Sequence, residues 1–372
     1  MTELPVTPRG AFLQTVHPLL GRLLPCLLVF GFGALLAACR GFQNPQTAPR
    51  LRIEGVRQIT DDTYLYERPV WSPDGRLIAA ARNINNQLDM GPDTRAWEVV
   101  IIDAASGDIT RLYGPAGLSL PTWSPRGDRL AYVTELPFDD KNDEEESSRR
   151  LTIHPIAGGE ALDVPCETCA YPNWLEDGTI LVSVNLGLGG DGRPQYGTAR
   201  LNLGTGELEG RAPYVGMSDV YVEVSQGEPI LIADISLAAP NGEALFMTAY
   251  VRDCSGIWIY NFGSDGPKPL IDNPESDECD PSLSVDGTRL LYTLKAPRQL
   301  AATTIMVADS DGSSPVALLD PGGDPYQARF PAWSPDGTKF AFAYGLFQDT
   351  APSYSALYIA DIPPALQTGA AE

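Results

Sequence analysis

A seven-residue motif returns along this chain about every fifty residues, and nothing else in the sequence limits its folding so strongly. Its clearest copies are Pro69-Val70-Trp71-Ser72-Pro73-Asp74-Gly75 and Pro331-Ala332-Trp333-Ser334-Pro335-Asp336-Gly337. Weaker copies begin at Pro121, Pro172 and Pro281, and a worn one runs Tyr221-Val222-Glu223-Val224-Ser225-Gln226-Gly227. Measured at the Trp position, the six copies are 52, 51, 49, 60 and 50 residues apart. A unit of that length cannot bury its apolar face alone, so the copies must stack on one another.

Each copy carries its own strand and turn signals. In Ser-Pro-Asp-Gly, Pro sets φ, Asp bonds back to nearby backbone and Gly accepts positive φ. The seventh residue after the Trp position is apolar throughout: Ile78, Leu130, Leu181, Ile230, Leu290 and Phe340. The ninth is mostly apolar too, and period two over so short a run means strand. A second strand class follows, as in Glu98–Asp103, Leu151–Ile156, Thr304–Asp309 and Ala356–Asp361. After a Gly-containing turn comes a short last strand such as Ile109–Leu112. Strand and turn alternating in this way predict six four-stranded antiparallel blades, an all-β propeller. The last copy stops after its third strand, whereas Arg57–Thr60 precedes the first motif and resembles a fourth. The N-terminal strand is therefore expected to close the ring and hide two sheet edges.

The first 38 residues stand outside this pattern. Arg9 and Arg22 precede an uncharged run, Leu23–Ala38, which is shorter than the roughly 20 apolar residues of a spanning helix. It ends Leu36-Ala37-Ala38-Cys39, which resembles the lipobox of bacterial lipoproteins. The resulting division is a signal peptide at 1–38, lipidated Cys39 with a tether at 39–50, a propeller at 51–363 and a tail at 364–372. Removing 1–38 takes away Glu3, Arg9 and Arg22 and leaves 47 acidic against 24 basic side chains. So acidic a chain is repelled by nucleic acid and by anionic lipid, which leaves the lipid on Cys39 as its membrane contact.

Four cysteines follow Cys39, an even number that fits disulfides in an exported protein. The preferred pairing is Cys166–Cys169 with Cys254–Cys279. A redox motif at Cys166-Glu167-Thr168-Cys169 is disfavoured, because Pro165 precedes it and a strand, not a helix, follows. No cofactor or metal is expected. Asp74, Asp177, Asp286 and Asp336 are explained as turn formers on separate blades. Asp139–Glu146 reads as a solvated acidic loop in preference to a calcium site. Trp71, Trp123, Trp174 and Trp333 hold one place in the repeat and are expected to pack between blades.

Pro-x-Trp-Ser-Pro-Asp-Gly, a strand, and an apolar-apolar-x-Asp-x-x-Gly hairpin together resemble the TolB-like propeller family, a WD-like repeat, over nearly all of residues 51–363. The resemblance implies a role in the cell envelope. That family includes a periplasmic lipoprotein-binding protein, propellers attached to serine peptidases, and sugar lyases. The lyases rely on a His-rich metal site, whereas His154 is the one histidine beyond residue 38, and no Gly-x-Ser-x-Gly elbow is present. The expectation is therefore a chain that binds an envelope protein, an acidic peptide or a glycan and is not an enzyme. The best candidate surface is the channel mouth, where the innermost strands begin. Three and four residues ahead of the Trp position lie Arg68 and Glu67, Tyr171, Asp219, Asp280 and Arg329. Convergent polar groups in a concave opening are the default binding hypothesis.

Overall fold

The computed structural model describes residues 55–368 apart from stretches at 61–63, 84–96, 117–120, 136–148, 167–168, 189–193, 214–222, 225–227, 230–231, 239–243, 252, 262–267, 274–275, 296–302, 320–325 and 348–353. Cys39, Asp219 and the acidic run 139–146 lie outside the described residues, as does the side chain of Cys254. Among the described residues there are six four-stranded antiparallel sheets, five of them with their strands in chain order from the inside outward. Blade one comprises Leu65–Trp71, Leu77–Asn83, Trp97–Asp103 and Ile109–Ala116. Blade two runs from Thr122–Trp123 out to Leu162–Pro165, and blade three from Ala170–Trp174 out to Glu207–Pro213. Blade four runs from Ile232–Ala238 to Lys268–Ile271, and blade five from Asp277–Leu283 to Val316–Leu319. Blade six has Tyr326–Trp333, Lys339–Leu346 and Tyr354–Asp361, and its fourth strand is Arg57–Gln58. The fold is a six-bladed β-propeller.

The turn chemistry explains why the motif nucleates each blade. Ser72 Oγ donates to Asp74 Oδ1 at 2.6 Å and accepts from the Leu77 amide at 2.9 Å, so one hydroxyl ties both ends of the turn. The Ser72 hydroxyl holds the Asp74 carboxyl below the usual carboxylate range, partial burial opposing it. Ser284–Asp286 and Ser334–Asp336 repeat the arrangement. In blade two, where Arg126 replaces the aspartate, Ser124 reaches Asp128 instead. These aspartates form turns, and each belongs to its own blade.

Two of the tryptophans fasten neighbouring blades by hydrogen bonds, whereas Trp174 Nε1 donates to Gly178 O within its own turn. Trp71 Nε1 donates to Ala332 O of blade six at 3.2 Å, and Trp123 Nε1 to Val70 O of blade one at 3.1 Å. Hydroxyls just before the Trp position act in the other direction. Thr122 Oγ1 accepts from the Trp174 amide at 3.1 Å, and Ser282 Oγ from the Trp333 amide at 3.3 Å. Between the sheets lie apolar layers, such as Tyr66, Ile78, Val100, Ala341 and Leu357 where blades one and six meet.

Blade four departs from the expected phase. Its innermost strand is Ile232–Ala238, and Ala244–Val251 is its second strand. The worn motif is used elsewhere, in a two-stranded pairing of Glu223–Val224 with Glu228–Pro229. That copy lacks the opening Pro, the Trp and the Asp together, whereas every other copy keeps at least one of them.

Candidate functional site

The innermost strands share an irregularity where the mouth was expected. Antiparallel pairing with the second strand slips between Glu67 and Val70, Ala170 and Asn173, Cys279 and Ser282, and Arg329 and Ala332. Inside each slip one residue other than glycine has positive φ: Arg68 at 55°, Tyr171 at 51°, Asp280 at 51° and Phe330 at 54°. This is a β-bulge repeated in four blades, each re-aiming one side chain. Left-handed backbone at a residue with a Cβ costs about 1–3 kcal/mol and persists only where its surroundings over-determine it.

Three of the six residues predicted for the mouth gather around Phe330. The Arg68 guanidinium lies 5.2 Å from the centre of its ring, and that of Arg329 4.6 Å. Arg329 also lies 5.6 Å from the Phe347 ring, which meets Phe330 edge to face at 6.0 Å. Asp280 Oδ2 accepts from the Phe330 amide at 3.3 Å and faces Arg329 Nε at 3.4 Å, so this carboxylate joins blade five to blade six. Asp280 is buried, whereas Arg329 keeps 23% of its side chain exposed. Tyr171 adopts the same backbone conformation on blade three, its carbonyl accepting from Asn173 Nδ2 at 3.0 Å, and Glu67 is half-buried opposite Ala81.

Two further groups flank this cluster. Arg82 Nη2 donates to Glu98 Oε2 at 2.6 Å, and its guanidinium lies over the Tyr64 ring. Burial works against the Arg82 charge, but the Glu98 and Tyr66 hydrogen bonds outweigh it and raise the pKa. On blade five, Glu278 is almost fully buried, with Ser276 Oγ donating to it at 2.5 Å. Burial pushes the Glu278 carboxyl up against the pull of the Ser276 and Asn273 hydrogen bonds, and Asp272 and Asp277 add to the rise. His154 sits between blades one and two, 4.3 Å from Tyr113 and parallel to Tyr132, and burial lowers its pKa. Among the described residues, no three His, Cys, Asp or Glu side chains gather where a metal ion would need them.

Phe347 and Tyr64 were not anticipated. Phe347 follows the last alternating position of its strand, Leu346, and Tyr64 precedes the first of its own, so no periodicity marks either. Cys166 and Cys169 are bonded to each other, with Cα atoms 5.4 Å apart, and Cys279 is disulfide-bonded as well. Such bonds mark an extracytoplasmic protein, because cytosolic reductants keep thiols reduced.

No protein-family model matches the chain. Over 245 residues it is 30% identical to a protein of Bacillus subtilis (strain 168) named "Uncharacterized peptidase YuxL", a match that covers 65% of this chain and 30% of that relative. Among solved structures, the β-propeller domain of the trilobed protease from Pyrococcus furiosus has a TM-score of 0.50 at 11% identity, covering 81% of this chain and 97% of the domain. A gluconolactonase from Xanthomonas campestris has a TM-score of 0.51 at 12% identity, covering 83% of this chain and 89% of that one. TolB from Acinetobacter baumannii has a TM-score of 0.44 at 15% identity, covering 85% of this chain and 66% of TolB. The chain shares the β-propeller fold of the trilobed-protease domain and the gluconolactonase. The expectation that it is not an enzyme is corrected by the peptidase name of the Bacillus relative and by the enzymes that share its fold. That expectation rested on a missing serine elbow and a shortage of histidines. Such motifs belong to particular catalytic sites, and function lives in sites carried by a fold, not in the fold itself.

Proposed function

We propose that the propeller recognises acidic peptides at the mouth of its channel. The observation that carries this reading is the placing of two guanidinium groups, from the first and last blades, against the single ring of Phe330. Guanidinium stacked on an aromatic face stays planar and presents donors at its edge, the geometry that suits a carboxylate. Charge-assisted bonds of this kind contribute about 1.5–3 kcal/mol each when well formed. The formal net charge of −22 opposes such a ligand at long range. Recognition therefore acts at short range, inside the screening length of about 8–10 Å. The peptidase name of the Bacillus relative supports a peptide over other carboxylate ligands.

The test uses fluorescein-labelled tetraglutamate and fluorescence anisotropy. Wild type should bind it, and Arg68→Ala with Arg329→Ala should weaken binding at least tenfold while the melting temperature stays within a few degrees. Equal binding by a folded double variant would sink the proposal, and so would a wild type indifferent to the peptide. If the double variant fails to fold, Arg68→Lys with Arg329→Lys replaces it. Lysine keeps the charge but lacks the planar fork, so the same loss is expected.

The reading includes a place of work, the outer side of a membrane, with Cys39 carrying the lipid. It is supported by the uncharged run that ends Leu36-Ala37-Ala38-Cys39 and by the disulfides. Cys39→Ser is expected to move the protein from the detergent phase to the aqueous phase on partitioning. Identical partitioning of both forms would refute the anchor.

A further inference from the structure

The bulges at the mouth are held in two different ways. In blades one and six a hydroxyl from the preceding blade grips the backbone two residues ahead of the left-handed position. Ser355 Oγ accepts from the Tyr66 amide at 2.8 Å and donates to the Tyr66 carbonyl at 2.5 Å. Thr303 Oγ1 does the same for Ala328, at 2.8 and 2.7 Å. Both hydroxyls are buried, and Tyr66 and Ala328 each stand five residues before the Trp position. In blade three the residue at that position is Cys169, bonded to Cys166. In blade five it is Glu278, and the next residue, Cys279, is disulfide-bonded. Two of the four bulges are thus latched by hydrogen bonds, and the other two adjoin disulfides.

We infer that these disulfides make the mouth redox-sensitive: their reduction by a dithiol releases the bulges at Tyr171 and Asp280 and leaves those at Arg68 and Phe330 in place. In the Cys166–Cys169 bond, Cys169 is fully buried and Cys166 is slightly exposed, so the attack falls on Cys166. One thiolate of the dithiol bonds to Cys166 Sγ, and Cys169 leaves as a thiolate and takes up a proton. The second thiol of the reductant then displaces Cys166, which is protonated in turn. The dithiol departs as a disulfide, and the protein gains two electrons and two protons. Without its covalent restraint, Tyr171 relaxes toward negative φ. In blade five the same release withdraws Asp280 from the Phe330 amide and from Arg329, the two contacts through which it meets the arginine pair. The consequence for ligand affinity rests on the acidic-peptide reading; the release of the bulges does not.

The full-length protein is reduced with dithiothreitol under native conditions, its thiols are alkylated and counted by mass spectrometry, and amide hydrogen exchange is followed. Exchange within 170–174 and 279–283, and at the Phe330 amide that Asp280 holds, should quicken at least tenfold, while 65–71 and the rest of 326–333 keep their protection. Reoxidation should restore the original pattern. Unchanged exchange in all four segments after full alkylation overturns the inference, and so does an equal rise in all four, which would mean general unfolding. The Cys166→Ser, Cys169→Ser variant offers the same measurement on blade three alone. Labelled tetraglutamate is added to both redox forms. If the exchange pattern appears but neither form binds, the peptide reading falls and the redox control stands.

Discussion

Deleting residues 51–60 is expected to lower stability by about 5 kcal/mol, which for a domain of this size is a fall of roughly 10 °C or more in melting temperature. The segment does several things at once. Arg57 and Gln58 pair with Ile359 and Tyr358, and the Ile59 amide donates to Leu357 O at 2.8 Å. The Leu357 amide in turn donates to Thr60 Oγ1 at 3.0 Å, and Tyr358 OH to Gln58 Oε1 at 3.1 Å. Arg57 reaches across to the carbonyl of Ala104 in blade one. Ile59 is buried in the layer between blades one and six, where full burial of such a side chain contributes about 1.5–3 kcal/mol. Each hydrogen bond adds about 1 kcal/mol. The deletion also bares the outer edge of Tyr354–Asp361, an invitation to pair with another chain, so light scattering should rise along with the fall in melting temperature. A deleted protein that melted with wild type would mean that the ring is held shut by other contacts.

Ring closure of this kind was legible in the sequence because it depends on counting. A motif with a fixed place in each blade shows by its phase alone that the last blade lacks a strand and that Arg57–Thr60 can supply it. The turns were legible for a similar reason, since Ser72, Asp74 and Gly75 act on one another within four residues. Blade four was not. Its copy of the motif keeps neither Trp nor Pro, and without them periodicity assigns strands but not their order. Phase put Arg68, Asp280 and Arg329 on one level of the repeat, but it could not say that Phe330 stands among them. Nor could it show that Asp280 bonds the next blade's backbone. Such contacts run between blades, over separations of about fifty residues, where no local pattern records them. The hydroxyls of Ser355 and Thr303 were invisible for the same reason: each is an ordinary strand residue until the preceding blade is seen to present it.

The second large effect is expected at Gly107, and it can be separated from ordinary backbone strain. Gly107 and Gly206 occupy equivalent hairpins between third and fourth strands. Each has positive φ, 83° and 73°, and each amide donates to a carbonyl four residues back at 2.8 Å. Substitution by alanine therefore costs both about 1 kcal/mol for placing a Cβ in the left-handed region. What differs is the neighbour. A Cβ on Gly206 meets nothing within 4 Å, whereas one on Gly107 would lie 2.4 Å from the carbonyl oxygen of Ile59, in the segment that closes the ring. Backbone on both sides prevents easy relief, so Gly107→Ala should cost about 3 kcal/mol or more, at the upper end for single substitutions. Gly312 is an intermediate case, with Leu270 O at 2.8 Å, and its alanine variant should fall between the two. The decisive comparison is a double-mutant cycle. In a chain that lacks residues 51–60 the obstructing carbonyl is gone, so Gly107→Ala should there cost no more than Gly206→Ala. The coupling should approach 2 kcal/mol, within the range measured for residues in direct contact. Additive losses would mean that Gly107 is sensitive for reasons of its own hairpin, and that Ile59 does not rest against it.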